Sequence, residues 1–189
     1  MRKGKIGVVI TAAGALLILC AAVLLLCSIV SGKQAASQNA ETVSKILSLL
    51  PDRTNGVTGD RTDTKMPVMV INGQDYICLI EIPDSDVRLP VLSENTENRP
   101  NASPYRYGGT VSDGSLVIGG LPSDFLSGIE TSGTVMLTDM NGSCYTYTVT
   151  GIEHADKISE TLSAGDDDLV LFTGNKWGLD YIVVRLHFT

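Results

Sequence analysis

"LVLFTGNKWGLDYIVVRL", Leu169 to Leu186, decides how this chain is read. An apolar run ends at Thr173-Gly174, a short loop follows, and a second apolar run starts near Tyr181. Both runs are of strand length and rich in β-branched and aromatic residues. The layout resembles a strand-end catalytic site, in which a nucleophile sits just after the first strand. Here that position is Gly174, which carries no reactive atom.

Upstream, the same kind of short apolar segment recurs. "PVMVI" and "YICLIEI" flank Asn72-Gly73-Gln74-Asp75, a hairpin signal with a loop of two residues or more. "VRLPVL" and "SLVIGG" are further strand candidates, and "GTVMLTDM" and "CYTYTVTGIE" flank a second Asn-Gly pair, Asn141-Gly142. Tyr145, Tyr147 and Val149 alternate, so one face of their strand enters the core. "SDFLSGI" reads as one helical turn capped by Ser123, and "DKISETLS" as a short helix. Seven or eight strands with few helices predict a single all-β barrel or sandwich over residues 67–189. There is no repeat and no phosphate-binding glycine loop.

The N-terminal part differs in kind. Ile6 to Val30 is 25 residues without a charge, and roughly 20 such residues cross a hydrocarbon core as a helix. The run exceeds the apolar core of a signal peptide, so it predicts a transmembrane signal-anchor over residues 6–30 rather than a cleaved leader. Arg2, Lys3 and Lys5 precede it, placing residues 1–5 in the cytoplasm and the remainder outside. Three of the 14 basic residues lie before the span, leaving 11 against all 21 acidic ones, a formal charge of −10. Such a surface disfavours nucleic acid and anionic headgroups. Residues 31–66 read as a juxtamembrane helix and linker. Val43, Ile46, Leu47 and Leu50 form a helical stripe that packs on its own domain or meets a partner, and Pro51 ends it.

Cys20 and Cys27 fall in the apolar span, whereas Cys78 and Cys144 fall in the exported part. That setting permits a pair, but two cysteines do not make a disulfide framework. His154 and His187 stand alone, no metal-ligand spacing occurs, and Asp166-Asp167-Asp168 reads as a solvated loop before a calcium site. No cofactor or metal is expected.

The order of these pieces resembles the sortases, membrane-anchored cysteine transpeptidases of Gram-positive bacteria. "YICLIEIPDSDVRLPVL", "YRYGGTVSDGSLVIGG", "FLSGIETSGTVMLTDMNGSCYTYTV" and "DLVLFTGNKWGLDYIVVRL" are similar to successive parts of that family, over roughly Asp75 to Leu186. The resemblance implies a sortase-like β-barrel. It also implies a thiolate that attacks a peptide carbonyl, a histidine acid/base and an arginine donor. The family's histidine follows the small pair that ends one strand, and here Leu121 follows Gly119-Gly120. Its cysteine follows a threonine, and here Gly174 follows Thr173. Its arginine opens the last strand, where Tyr181 stands, and Arg185 lies four residues on, about 13 Å along a strand. All three reactive groups are replaced.

The expectation is therefore a surface-exposed, membrane-anchored sortase-like protein that is inactive as a transpeptidase. It would bind a sorting-signal-like peptide or scaffold another cell-surface protein, with Thr173, Trp177 and Arg185 as groove residues. The alternative is an active transpeptidase with relocated residues, Cys144 or Cys78 supplying the thiol. The sequence leaves the bound peptide, the partner and the oligomeric state open.

Overall fold

Asn72 and Gly73 take φ of 52° and 77°, so the first hairpin turns in two residues between β1 (Met69–Ile71) and β2 (Gln74–Ile82). Positive φ at both central residues is the type I′ geometry that asparagine and glycine tolerate. Gln74 and Asp75 thus belong to the strand and not to the loop. The computed structural model describes residues 14, 16–23, 37–50, 66–83, 87–96, 99, 103–158, 162, 166–174 and 180–189.

Seven further strands follow: β3 (Val87–Leu92), β4 (Tyr105–Gly108), β5 (Leu116–Gly119), β6 (Thr134–Asp139), β7 (Cys144–Ala155), β8 (Leu169–Gly174) and β9 (Tyr181–Phe188). They hydrogen-bond in the order β1-β2-β3-β4-β5-β8-β9-β7-β6, and β2 also pairs β6. That last pairing closes eight strands into a barrel, with β1 as an appended edge. The structure is the all-β barrel that the sequence predicts, and closure removes the open edges of a sandwich.

The barrel interior holds Ile77, Ile80, Val91, Leu116, Ile118, Leu137, Tyr147, Leu169, Leu171, Val184 and Leu186, all nearly solvent-free. Tyr145, Tyr147 and Val149 point inward as their alternation requires. β2 is buried on both faces, because a bulge between Tyr76 and Cys78 sends Tyr76 and Leu79 outward under a helix.

That helix, α1 (residues 37–49), carries the apolar stripe. Val43 and Ile46 are buried against Ile71, Tyr76, Leu79, Leu92 and Met140, with Leu47 and Leu50 alongside. The stripe packs on its own domain, and the compact unit runs from Gln38 to Thr189. Asn39 fixes α1 to the loop before β4, accepting a 3.0 Å hydrogen bond from Ser103 Oγ. β3 and β4 run parallel and share one aligned pair, Leu92 with Tyr105.

The turn of helix α2 (Ser123–Ser127) differs from expectation at its start. Pro122, with φ −59° and ψ 140°, is the cap residue and Ser123 the first helical one, so no side chain caps this turn. Asp139 closes the β6–β7 loop instead: its Oδ1 accepts from the Asn141 and Ser143 amides at 2.9 and 2.8 Å. Of the "DKISETLS" segment, Asp156, Lys157, Ile158 and Leu162 are described, and the last two are helical. The apolar run Ile6–Val30 lies largely outside the described residues; residues 16–23 are helical and exposed. Among the described residues no helix is long and apolar enough to cross a membrane.

Candidate functional site

The strands that end at Gly120 and Gly174 are neighbours. β5 and β8 pair in parallel from Leu116–Leu169 to Gly119–Phe172, and the Leu121 amide still bonds the Phe172 carbonyl at 3.4 Å. β9 returns antiparallel, placing Tyr181 directly opposite Gly174. The backbones of Leu121, Gly174 and Tyr181 therefore meet at one end of three adjacent strands.

Their side chains do not share one face. Along β8, Leu169 and Leu171 enter the barrel, while Val170 and Phe172 face out. Alternation continues, so Thr173 lies on the inner face and Gly174 on the outer. Tyr181, paired with Gly174, also faces out and joins the outer cluster of Val170, Phe172 and Val183. Leu121 is 2% exposed and belongs to the inner core. Thr173 and Leu121 thus stand across the sheet from Gly174 and Tyr181.

The outer face is filled rather than open. A Cβ on Gly174 would lie 2.8 Å from Tyr181 Cε1, so the tyrosine ring occupies the space of a residue-174 side chain. A Cβ on Gly119 would lie 2.3 Å from Phe172 Cζ, so that glycine is what lets the Phe172 ring lie flat on the sheet. Phe172 meets Tyr107 edge-on at 5.4 Å between centroids and Tyr181 at 6.3 Å. The result is an aromatic row across β4, β8 and β9. Ile158 and Leu162 pack against its lower part.

A cation stands at the other end of this row. Arg99 lies 4.7 Å over the Tyr105 ring, and its Nη1 is 2.6 Å from where a Gly120 side chain would begin. Burial raises the Tyr105 phenol above its ordinary pKa; Arg99 pulls it down, and Tyr107 and Tyr181 push it up. Tyr105 and Tyr107 also line an open cleft of about 590 Å³, completed by Ser93, Glu94, Asn95, Arg106, Gly108 and Gly109. Nothing in the sequence pattern singled out Arg99, a lone arginine in a polar loop.

Arg185 faces out from β9 but is committed elsewhere. Its Nε donates to Glu153 Oε1 at 2.8 Å and its Nη1 to Asp167 Oδ2. Burial opposes its charge, yet these two carboxylates hold its pKa above the ordinary arginine value. This clamp makes Arg185 a strand-to-loop tie. Asp168 is likewise taken: its Oδ2 accepts from the Phe188 amide at 2.9 Å and lies 3.3 Å from His187 Nδ1. Asp167 and Asp168 are thus internal acceptors, and among the described residues no group of acidic, histidine and cysteine side chains is arranged to hold a metal. Trp177 lies outside the described residues.

The two thiols of the barrel, Cys144 and Cys78, are poorly placed for chemistry at this strand end. β7 runs from Cys144 to Ala155, and Ala155 pairs Tyr181, so Cys144 is roughly 30 Å or more away along the strand. Cys78 is fully buried, and burial together with the Asp139 carboxylate pushes its thiol far above the ordinary value. Cys78 pairs Asp139 and Cys144 pairs Thr138, so the two cysteines point to opposite faces and form no disulfide. Alkylation at pH 8 of the folded protein will therefore spare Cys78, which stays a neutral thiol, and modify it once the barrel unfolds. Peptide mapping after pulse labelling checks this; rapid native labelling of Cys78 would contradict the packing.

Sequence comparison finds no matching family model and no matching curated protein. The architecture does match solved structures. A lid mutant of sortase A from Corynebacterium diphtheriae superposes with a TM-score of 0.50 at 20% identity, covering 61% of this chain and 71% of that one. A sortase D5 transpeptidase from Clostridium perfringens gives 0.51 at 16%, covering 64% and 82%. The catalytic domain of SrtD from B. anthracis gives 0.50 at 15%, covering 68% and 93%. The fold is sortase-like, as the order of its sequence pieces led one to expect.

Proposed function

We propose that this sortase-like barrel is a non-catalytic module of the cell surface, anchored by residues 6–30, that binds a peptide or scaffolds another surface protein. One observation carries the reading: at the strand end where a sortase-like barrel would aim a thiol, the Tyr181 ring fills the side-chain space of Gly174. Covalent acyl transfer needs a nucleophile with an acid/base group in reach. Gly174, Leu121 and Tyr181 supply no such pair. Cys78 is sealed in the core, and Cys144 lies at the far end of β7. What the face offers instead is aromatic surface, tyrosine hydroxyls and one guanidinium, the chemistry of reversible recognition.

The acidic balance and the charge-free N-terminal run support an exported, membrane-held domain. The rival reading, an active transpeptidase with relocated groups, predicts a thiol-dependent acyl adduct. Incubating the detergent-solubilised full chain with a panel of sorting-signal peptides and measuring intact mass decides. The expected spectrum is unchanged. A peptide-mass adduct that disappears in Cys78→Ala or Cys144→Ala would overturn the non-catalytic reading.

A further inference from the structure

We propose that Arg99, Tyr105 and Tyr107 form a binding site for a peptide's C-terminal carboxylate with an apolar last residue. The proposal rests on the non-catalytic reading of this face and names the ligand it receives.

The first argument is the state of the arginines. Arg88 pairs with Glu81 at 2.6 Å, and Arg185 with Asp167 and Glu153. Arg106 donates its Nε to the Ser93 carbonyl at 3.1 Å. Arg99 makes one long contact, 3.5 Å from Nη1 to the Ser103 carbonyl, and among the described residues no carboxylate pairs with it. Arg99 and Arg106 are thus both half-buried guanidinium groups that no described carboxylate pairs, and of the two it is Arg99 that lies over an aromatic ring.

The second argument is what holds it. The guanidinium stacks on Tyr105 and lies against Gly120, where any side chain would displace it. With one long carbonyl contact, the guanidinium keeps N–H groups for a planar two-oxygen acceptor. A carboxylate matches that geometry.

The third argument is the surface beside it. Tyr107 follows on the same outer side of β4, is 52% exposed, and is braced from beneath by Phe172. A braced, exposed ring is a platform for an apolar side chain, with its hydroxyl left to hydrogen-bond. The cleft along β4, which Tyr105 and Tyr107 line together with Glu94 and Arg106, gives an approaching chain room beside the Arg99–Tyr105 pair.

Titrating the full-length protein calorimetrically with N-acetyl-phenylalanine tests the site. Saturable binding is expected, weakened at least about tenfold by Arg99→Gln and by replacing the probe's carboxylate with its amide. Tyr107→Ala should weaken the acid probe while sparing acetate, which lacks the ring. Unaltered thermal unfolding of Arg99→Gln shows that the loss is local. No saturable binding, equal binding of the amide, or full affinity in Arg99→Gln would overturn the proposal. So would tighter binding of phenyl phosphate, which would make the site a phosphate receptor. This measurement is reversible and uses no reactive peptide bond, so it stands or falls separately from the adduct experiment.

Discussion

Phe172→Ala will destabilise the barrel by about 3–5 kcal/mol, the usual cost of removing a buried phenylalanine ring. The ring is 4% exposed and sits at the middle of the aromatic row, touching Tyr107 on one side and Tyr181 on the other. The same ring makes a companion prediction sharper. Gly119→Ala places a methyl 2.3 Å from Phe172 Cζ, an overlap that the strand backbone beneath it cannot avoid, and overpacking of this kind costs about 1–3 kcal/mol. In the Phe172→Ala background that overlap is gone, so adding Gly119→Ala should cost nothing. Gly151→Ala, with no atom within 4 Å of the new carbon, is the neutral control. Chemical denaturation of the four-member cycle checks the coupling. Strictly additive losses would mean that the ring does not rest on Gly119.

Leu121→His will cost about 2–4 kcal/mol and will not restore an acid/base group to the site. The sortase resemblance puts a histidine at this position, yet Leu121 is one of the largest fully buried side chains and packs in the barrel interior. An imidazole there loses water, which disfavours its charged form and lowers its folded-state pKa below the unfolded value of about 6.5. The unfolded chain then binds the proton more readily, so the penalty grows as pH falls through that value. Unfolding measured at pH 5 and pH 8 should show the larger loss at pH 5. A small, pH-independent loss would mean that the side chain turns outward toward Gly174.

The strands were legible because their signals are local. Asn72-Gly73 sets φ by its own chemistry, and the Tyr145-Tyr147-Val149 alternation reports one buried face. The closing β2–β6 pair is not local: it joins residues about sixty positions apart, and no spacing rule announces it. The site divides the same way. The expectation that Gly174 stands at a nucleophile position rests on one residue beside its strand. That Tyr181 fills the gap requires the register of β9 against β8. Arg185 looked available because its partner Asp167 lies on another segment, and Arg99 escaped notice because a single charge in a loop has no period.

The single aligned pair between β3 and β4 has a mechanical meaning. Every other joint of the ring shares several ladder positions, whereas this one depends on Leu92 and Tyr105. α1 lies across it: Ile46 and Val43 bury Leu92, Tyr105 packs in the same cluster, and Asn39 holds Ser103 on the far side. The barrel is a hoop with one thin joint, and α1 is its clasp. The segment that holds α1 is therefore part of the barrel and cannot be shortened freely. Loosening it would open the hoop at β4, the strand that carries Tyr105 and Tyr107, so a pull on α1 would be felt first at the aromatic face.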